Sequence, residues 1–283
     1  MEIARTIADL RRLIAAWRRR EERIGLVPTM GALHQGHLAL VRAAHGECDR
    51  VVASIFVNPK QFAPTEDLGS YPRREAADLA MLASADVDLV FIPAVSEIYP
   101  PDFATTVRVA GLTEGLCGAH RAGHFDGVAT VVTKLLIQSL PDIAYFGEKD
   151  YQQLTVVRRL ARDLDIPVRI AGVPTVREAD GLALSSRNAY LSPEERAVAP
   201  ELARALRYAS IALAGDPSAV GREIARASAA LAGAGFVVEY VEVREADSLT
   251  SVPTAITSPS RIFAAGHLGR TRLIDNMPIP PAA

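Results

Sequence analysis

The stretch Val27-Pro28-Thr29-Met30-Gly31-Ala32-Leu33-His34-Gln35-Gly36-His37 determines the expected fold of this chain. It follows an apolar run, 24–27, that predicts a buried strand, and it leads into 38–44, which predicts an amphipathic helix. In open α/β folds, such a strand–turn–helix junction lies at the ligand crevice. The unpaired N–H groups of a helix start favour phosphate there, and His34 and His37 are placed to donate hydrogen bonds to phosphate oxygens.

Predicted strands and helices alternate through the first 175 residues, which indicates a parallel sheet covered by helices on both faces. A loop rich in Pro, Gly and acidic residues interrupts this pattern before Tyr71, and a short strand is expected at 105–109. The further predicted strands are 51–57, 87–92, 143–146 and 168–171, and the further helices are 6–17, 75–83, 124–139 and 151–163.

The character of the sequence changes near Thr175. A capping box with proline at the first helical position, 192–195, predicts the start of a long helix that continues to about Ala214. A helix at 218–232 and strands at 236–244, 261–265 and 271–275 are expected after it. The expected architecture is α/β, with a Rossmann-like parallel sheet domain at 1–175 and a smaller C-terminal α+β lid domain at 176–283.

The composition is that of a folded globular protein, with 49% apolar and 23% charged residues. A net charge of −2 gives no reason to expect a nucleic-acid or membrane partner. The two cysteines, Cys48 and Cys117, lack Cys-x-x-Cys spacing, which favours a reducing compartment. The N-terminus has no apolar signal segment, and no stretch is long enough to span a bilayer. We therefore expect a soluble cytoplasmic protein.

Several common catalytic motifs are absent from the sequence. It contains no Walker A pattern, no Gly-x-Gly-x-x-Gly after a strand, no His-Glu-x-x-His and no Gly-x-Ser-x-Gly. Kinases, dinucleotide-dependent dehydrogenases, zincin proteases and α/β-hydrolases therefore lose support.

Three further polar stretches follow predicted strand ends or the change near Thr175. In 58–62, the amide of Gln61 can both donate and accept a hydrogen bond. In 147–150, a lysine beside an aspartate can hold a phosphate and a Mg²⁺ ion together. In 184–188, two hydroxyls and a guanidinium on a loop can close over a triphosphate. Taken singly, each stretch also fits a structural role: a loop-capping amide, a charged helix start or a plain turn.

The string Pro-Thr-Met-Gly-Ala-Leu-His-x-Gly-His at 28–37 resembles the signature of the pantothenate synthetase (pantoate–β-alanine ligase) family, within the His-x-Gly-His nucleotidyltransferases. The resemblance covers essentially the whole chain, including 121–128, 146–153 and the C-terminal string 265–276. Ala122 stands where this family usually has proline. Ala77 replaces the first of two acidic residues, so the resemblance supplies no metal role for Asp78.

The resemblance implies ATP-dependent condensation of pantoate with β-alanine through a pantoyl adenylate, with Mg²⁺ as the metal ion and a homodimer as the assembly. It implies catalytic roles for His34, His37, Lys149 and Arg187, with His37 as proton donor. The implied ATP-binding residues are Met30, Gly31, His34, His37, Gly147, Glu148, Lys149, Asp150, Val176, Leu184, Ser185, Ser186 and Arg187. The residues implied to bind pantoate or β-alanine are Gln61, Gln153 and Asn58, the implied metal ligand is Asp150, and His124 is a candidate for the substrate pocket.

Three alternatives stay open at this point. One is another nucleotidyltransferase of the same superfamily, for example one acting on a phosphorylated alcohol. The second is a metal hydrolase with His34, His37, His120 and His124 as ligands, because zinc sites use clustered histidines. The third is a nucleotide-binding regulator without catalytic activity.

Overall fold

The computed structural model describes residues 1–63, 66, 68–69 and 71–281, so part of the loop before Tyr71 lies outside the described residues. Six strands form one sheet in the order β1-β4-β3-β2-β5-β6, and every paired neighbour in it is parallel. These strands are β1 Glu2–Ala4, β2 Ile24–Thr29, β3 Arg50–Ile55, β4 Leu89–Phe91, β5 Ile143–Gly147 and β6 Arg169–Val173.

Seven helices connect and cover the described part of this sheet. They are α1 Ile7–Arg18, α2 Gln35–His45, α3 Glu75–Ser84, α4 Val95–Ile98, α5 Cys117–His120, α6 His124–Ser139 and α7 Tyr151–Asp163. The strand order reverses between β2 and β5, which are hydrogen-bonded neighbours although α2, β3 and β4 lie between them in the chain. A crevice forms outside the carboxyl ends of the strands at such a reversal. The histidine stretch after β2 and the charged stretch after β5 are therefore placed on the two sides of one crevice.

The C-terminal part contains a second, antiparallel sheet in the order β7-β8-β9. Its elements are α8 Pro193–Val198, α9 Glu201–Gly215, α10 Val220–Gly233, β7 Val237–Glu245, β8 Ser260–Leu268 and β9 Thr271–Ile279. One face packs on α9 and α10 through residues such as Val243 and Ile262, which share a core with Leu206. Residues of the opposite face, including Phe263, join the core of the first sheet. The predicted fold class, a Rossmann-like parallel sheet with a smaller C-terminal α+β part, is confirmed.

Three details of the predicted elements were wrong. Strand β1 was not predicted, because three residues are too few to show a hydrophobic period. The predicted long helix is two helices, α8 and α9, because Pro200 has no N–H with which to continue the first one. Residues 105–109 are not a strand: the backbone N–H of Val107 donates to Thr130 Oγ1 on α6 at 2.9 Å instead of pairing in a sheet.

Among the described residues, every helix is too short or too polar to cross a membrane.

Candidate active site

The two histidines of the organising stretch cap helix α2. His34 occupies the N-cap position, and its Nδ1 accepts a hydrogen bond from the backbone N–H of Gly36 at 3.1 Å. The Nδ1 of His37 accepts from the backbone N–H of His34 at 3.2 Å. Together these bonds form a capping box, in which imidazole nitrogens replace the usual Ser or Thr and Glu oxygens. The His-x-Gly-His motif is thus a local folding unit as well as a candidate site.

These bonds determine which ring nitrogen of each histidine is available to a ligand. Because both Nδ1 atoms are acceptors, the neutral rings carry their hydrogen on Nε2. Burial, and next the charge of Lys149, lower the pKa of His34 to about 4. Burial, and next the proximity of His34, lower the pKa of His37 to about 3. Both side chains are therefore neutral Nε2–H donors near pH 7.

Gly36 is required by the packing of this motif. A Cβ atom at this position would lie 2.8 Å from Cε1 and 2.9 Å from Nδ1 of His34. The two imidazole rings are themselves close, with centroids 4.1 Å apart. A side chain at position 36 would displace the His34 ring, which explains a glycine at the third position of the motif.

Asp78 on α3 holds the loop that precedes the histidines. Its two carboxylate oxygens accept hydrogen bonds from the backbone N–H groups of Ala32 and Leu33, both at 2.9 Å, and the residue is buried. Gly31 has a φ of +80°, and a Cβ there would lie 2.9 Å from Asp78 Oδ2. The Asp78 carboxylate thus fixes the backbone of the loop that precedes His34.

The charged stretch after β5 forms a short 3₁₀ turn, Glu148–Asp150, that leads directly into α7. Lys149 Nζ lies 3.9 Å from the carboxylate of Asp150, whose side chain is 50% exposed. Glu148 points in another direction, with its carboxylate 3.4 Å from the guanidinium of Arg261 on β8. The turn therefore presents one cation and one accessible carboxylate side by side.

The Ser-Ser-Arg segment lies on another 3₁₀ turn, Ser186–Tyr190. Ser185 caps it, because its Oγ accepts from the backbone N–H of Arg187 at 3.3 Å. The Ser186 hydroxyl lies 3.4 Å from the hydroxyl of Tyr71, a residue that no sequence motif indicated. The segment thus contacts the first part of the chain at the edge of the crevice.

The amide residues differ in how much of their hydrogen bonding is used within the protein. Asn58 is buried, and its Nδ2 donates to Gln61 Oε1 at 3.0 Å and to the Gly127 carbonyl at 3.1 Å. Its Oδ1 accepts from the Tyr99 hydroxyl at 2.8 Å. Asn58 thus orients the amide of Gln61. Within the described part of the chain, the side chain of Gln153 has no hydrogen-bond partner.

His124 holds the backbone of Gln61. Its Nδ1–H donates to the backbone carbonyl of Gln61 at 2.8 Å, and its Nε2 accepts from Arg121 at 2.9 Å. Burial, and next the charge of Arg121, lower the pKa of His124 to about 4. The same guanidinium forms a paired contact with Glu66, at 2.7 Å to each carboxylate oxygen. Both ring nitrogens of His124 are therefore used within the protein, and Arg121 was missed because only the tertiary contacts reveal it.

Most of the predicted polar residues meet around one cavity of about 240 Å³ at the carboxyl ends of β2 and β5. Those lining it are Met30, His34, His37, Asn58, Gln61, Gly147, Lys149, Asp150, Gln153, Val176, Leu184, Ser185, Ser186 and Arg187. Gly31 and Glu148 are not part of this lining; Gly31 borders a neighbouring cavity instead. A larger cleft of about 960 Å³ shares Lys149, Asp150, Ser185 and Arg187 with the first cavity and extends to β9.

The histidines are not arranged as a metal centre. Among the described residues, no group of three or more His, Cys, Asp or Glu side chains is arranged to hold a metal ion. His34 and His37 direct Nδ1 to the backbone, and both ring nitrogens of His124 are used. The hydrolase alternative with four histidine ligands therefore loses its geometric basis. Asp150 is the carboxylate of the cavity that fits a Mg²⁺ ion, which in proteins is often held by one or two carboxylates together with substrate phosphates.

Comparison with known proteins gives a consistent result. The family model for pantoate–β-alanine ligase matches residues 2–278. The chain belongs to the pantoate–β-alanine ligase family. A pantothenate synthetase from Paramagnetospirillum magneticum is 57% identical over 282 residues, which cover 99% of each chain. The resemblance inferred from the 28–37 string is therefore confirmed.

Solved structures support the same family and fold. Pantothenate synthetase from Thermus thermophilus is 49% identical and superposes with a TM-score of 0.93, covering 99% of this chain and 100% of that one. The Francisella tularensis pantoate–β-alanine ligase, solved as a complex with "Beta-gamma ATP" and β-alanine, is 35% identical with a TM-score of 0.82. That match covers 98% of this chain and 97% of the Francisella chain. The ligase reaction of the family, the joining of pantoate to β-alanine, is thus the activity to relate to this cavity.

Proposed function

We propose that this cavity carries out the family's ligation in two steps. The pantoate carboxylate attacks the α-phosphate of ATP, which forms pantoyl adenylate and releases pyrophosphate. The amine of β-alanine then attacks the activated carbonyl, which forms the amide bond of pantothenate and releases AMP. The adenylate is needed because oxide is a poor leaving group, whereas AMP is a good one. The protein then has to position the groups, neutralise phosphate charge and exclude water.

Four side chains carry the phosphate chemistry in this proposal. His34 and His37 act through Nε2–H as neutral hydrogen-bond donors to the phosphates, which suits a pKa well below 7. Lys149 and Arg187 supply the positive charge that stabilises the departing pyrophosphate. This modifies the expectation that His37 is a proton donor: its low pKa favours donation of a hydrogen bond over transfer of a proton.

The other predicted residues complete the ATP site in this proposal. Met30, Gly147, Val176, Leu184, Ser185 and Ser186 line the cavity around these four side chains and are placed to contact ATP. Gly31 and Glu148 contribute through the shape of their turns. Asp150 would hold Mg²⁺ together with the ATP phosphates. When bound, the ion supplies charge neutralisation for the phosphates.

Gln61 and Gln153 are proposed to hold pantoate. Pantoate has a carboxylate, two hydroxyls and a branched apolar centre. A neutral amide offers it a donor and an acceptor without adding a second negative charge. The cavity also presents an apolar wall from α6, formed by Val128, Val131, Val132 and Leu135. Amides beside this wall favour pantoate over a phosphorylated alcohol as the acceptor of AMP. Asn58 supports this site by orienting Gln61.

We further propose a domain boundary near Thr175, so that 176–283 acts as a lid domain whose 184–188 segment closes over the triphosphate. Hydrogen bonds within this segment, such as the backbone N–H of Asn188 to the backbone carbonyl of Ser185 at 3.0 Å, favour movement as a unit. A homodimeric assembly and a cytoplasmic location complete the proposal, both from the family resemblance and the composition.

The observation that carries the proposal is the meeting of neutral histidine donors, the cations Lys149 and Arg187, and the amides Gln61 and Gln153 around one cavity. The test is ATP–pyrophosphate exchange with purified protein and Mg²⁺. Exchange is expected with pantoate and without β-alanine, because the adenylate forms before the amine reacts. Lactate and pantoyl lactone serve as control compounds that lack the branched centre or the carboxylate. Exchange that requires β-alanine would contradict the two-step reaction.

A further inference from the structure

The second sheet contacts the Lys149 turn through one buried amide. Asn276 on β9 is 2% exposed, and its Nδ2 donates to the backbone carbonyls of Glu148 at 2.9 Å and Lys149 at 3.0 Å. Its Oδ1 accepts from Arg261 Nε on β8 at 2.8 Å. Both polar atoms of the Asn276 amide are therefore used. Its nitrogen holds the Lys149 turn, and its oxygen is bonded by Arg261 on the neighbouring strand.

Arg261 is in turn held at several points. Its guanidinium carbon lies 4.0 Å from the centroid of the Tyr151 ring, directly after the Lys149 turn. One of its nitrogens lies 3.4 Å from the carboxylate of Glu148. Arg261 is buried to 8% exposure. The orientation of the Asn276 amide is thus determined, because a flipped amide would place its NH₂ group against the N–H of Arg261, and two donors would then face each other.

Asp275, the residue before Asn276, is linked through Arg177 to the 184–188 segment that contains Arg187. Asp275 is 3% exposed and accepts two hydrogen bonds from Arg177, at 2.6 and 2.9 Å. Arg177 pairs with Ala183 in a short antiparallel bridge, and Ala183 directly precedes the 184–188 segment that contains Arg187. Adjacent residues of a strand point to opposite faces, so two neighbours on β9 can serve two different segments.

We propose that Asn276, oriented by Arg261, is a positioning residue for Lys149, and that strand β9 sets the spacing between Lys149 and Arg187. The proposal rests on the proposed function, in which these two cations stabilise the leaving pyrophosphate. A buried amide that donates to two carbonyls of one turn restricts its backbone, and Lys149 needs such restriction if its ammonium group is to meet the phosphates. Gln61 and Gln153 make no hydrogen bond with Asn276 in the described structure, so pantoate binding should be independent of it.

The test is a double-mutant cycle on pyrophosphate exchange with Asn276→Ala, Lys149→Ala and the combined variant. Asn276→Ala is expected to lower kcat about tenfold, because the less restricted turn holds the Lys149 ammonium group less well against the phosphates, and to leave the KM for pantoate within about twofold. In the Lys149→Ala background, the same substitution should change kcat less than about threefold. If the two single substitutions lower kcat by factors that multiply in the combined variant, the proposal is overturned. An unchanged kcat in Asn276→Ala would also overturn it.

The control is Ser260→Ala on β8, because Ser260 is equally buried but donates only to the nearby Ser258 carbonyl. It should keep wild-type kcat. If Asn276→Ala does not fold, Asn276→Ser keeps one shorter donor and should give a smaller loss with the same dependence on Lys149.

A second readout separates this proposal from the proposed function. Hydrogen–deuterium exchange of the backbone amides at 148–151 should be accelerated about tenfold in Asn276→Ala, because the turn loses its two bonds. If the wild-type protein does not catalyse ATP–pyrophosphate exchange, the proposed function is refuted. If hydrogen–deuterium exchange at 148–151 is the same in Asn276→Ala as in the wild type, the role of Asn276 is refuted.

Discussion

The Nδ1 atom of His37 accepts a hydrogen bond from the backbone N–H of His34 at 3.2 Å. This contact caps helix α2 and leaves the Nε2–H of His37, which lines the cavity, outside the helix cap. One imidazole thus has a folding role at one nitrogen and, in the proposed function, a chemical role at the other. The two roles can be separated experimentally, because different amide side chains mimic the two nitrogens.

We expect His37→Asn to fold normally and to lose about a hundredfold or more in the rate of adenylation. The Asn Oδ1 can take the place of Nδ1 and accept from His34, but no donor remains at the Nε2 position. His37→Gln should show the reverse pattern, with more activity and a less stable helix start. Pyrophosphate exchange and thermal unfolding of both variants measure the two effects. Equal activity of the two variants would contradict the assignment of Nε2–H as the donor to phosphate.

We expect Gly36→Ala to lower activity with little change in stability. An alanine Cβ would lie 2.8 Å from Cε1 of His34 and displace that ring. Alanine in a helix stabilises by roughly 0.5–1 kcal/mol relative to glycine, which offsets the weakened hydrogen bond from the Gly36 N–H to His34, so the melting temperature should not fall by much. The loss of exchange activity should be about tenfold or more. Gly46→Ala at the other end of α2 is the matched control, because its Cβ would lie 3.4 Å from the nearest atom. Full activity in Gly36→Ala would show that the His34 ring position is not critical.

We expect Gln153→Glu to weaken pantoate binding strongly and to leave ATP affinity nearly unchanged. The carboxylate would oppose the carboxylate of pantoate and would remove a donor, at a cost on the order of several kcal/mol together. Gln153→Met removes the hydrogen bonds without adding charge and should show a smaller loss. Calorimetric titration of both ligands decides this. If the Glu variant loses ATP and pantoate affinity equally, Gln153 does not belong to the pantoate site.

We expect the stability to fall as the pH falls from about 7 toward 4, in part because of His124. Burial lowers its pKa in the folded protein from 6.5 to about 4. Between these values the unfolded chain binds more protons, so protonation favours unfolding. By pH 4.5 this residue alone should cost roughly 2 kcal/mol.

His124→Asn tests this expectation, because its amide N–H can still donate to the Gln61 carbonyl. Urea unfolding at pH 7.5 and pH 4.5 gives the stability gap between the wild type and this variant. This difference in the free energy of unfolding should be smaller at pH 4.5 than at pH 7.5. His45→Asn is the control, because His45 is exposed and its loss shows the effect of removing a surface histidine. A gap for His124→Asn that does not depend on pH would contradict a buried neutral His124.

The parallel sheet and the location of the site followed from local patterns for a physical reason. Apolar runs such as 24–27 favour buried strands, and the polar stretch that follows each run is then expected where a strand ends. Because parallel strands end at the same edge, His37, Lys149 and Gln61 were expected near one crevice, and they line one cavity. Strand β1 escaped prediction because three residues carry no period.

The sequence by itself thus determined the family, the fold class and most of the residues around the cavity, because these follow from short-range strings and periodicity. Only the tertiary structure decided which atom of each residue is available. It directs the Nδ1 atoms of both histidines to the backbone and uses Asn58 to orient Gln61. It also brings Asn276 to the Lys149 turn from 127 residues away in the chain. Such contacts depend on how two sheets pack together, and no local pattern encodes a hydrogen bond between residues so distant in sequence.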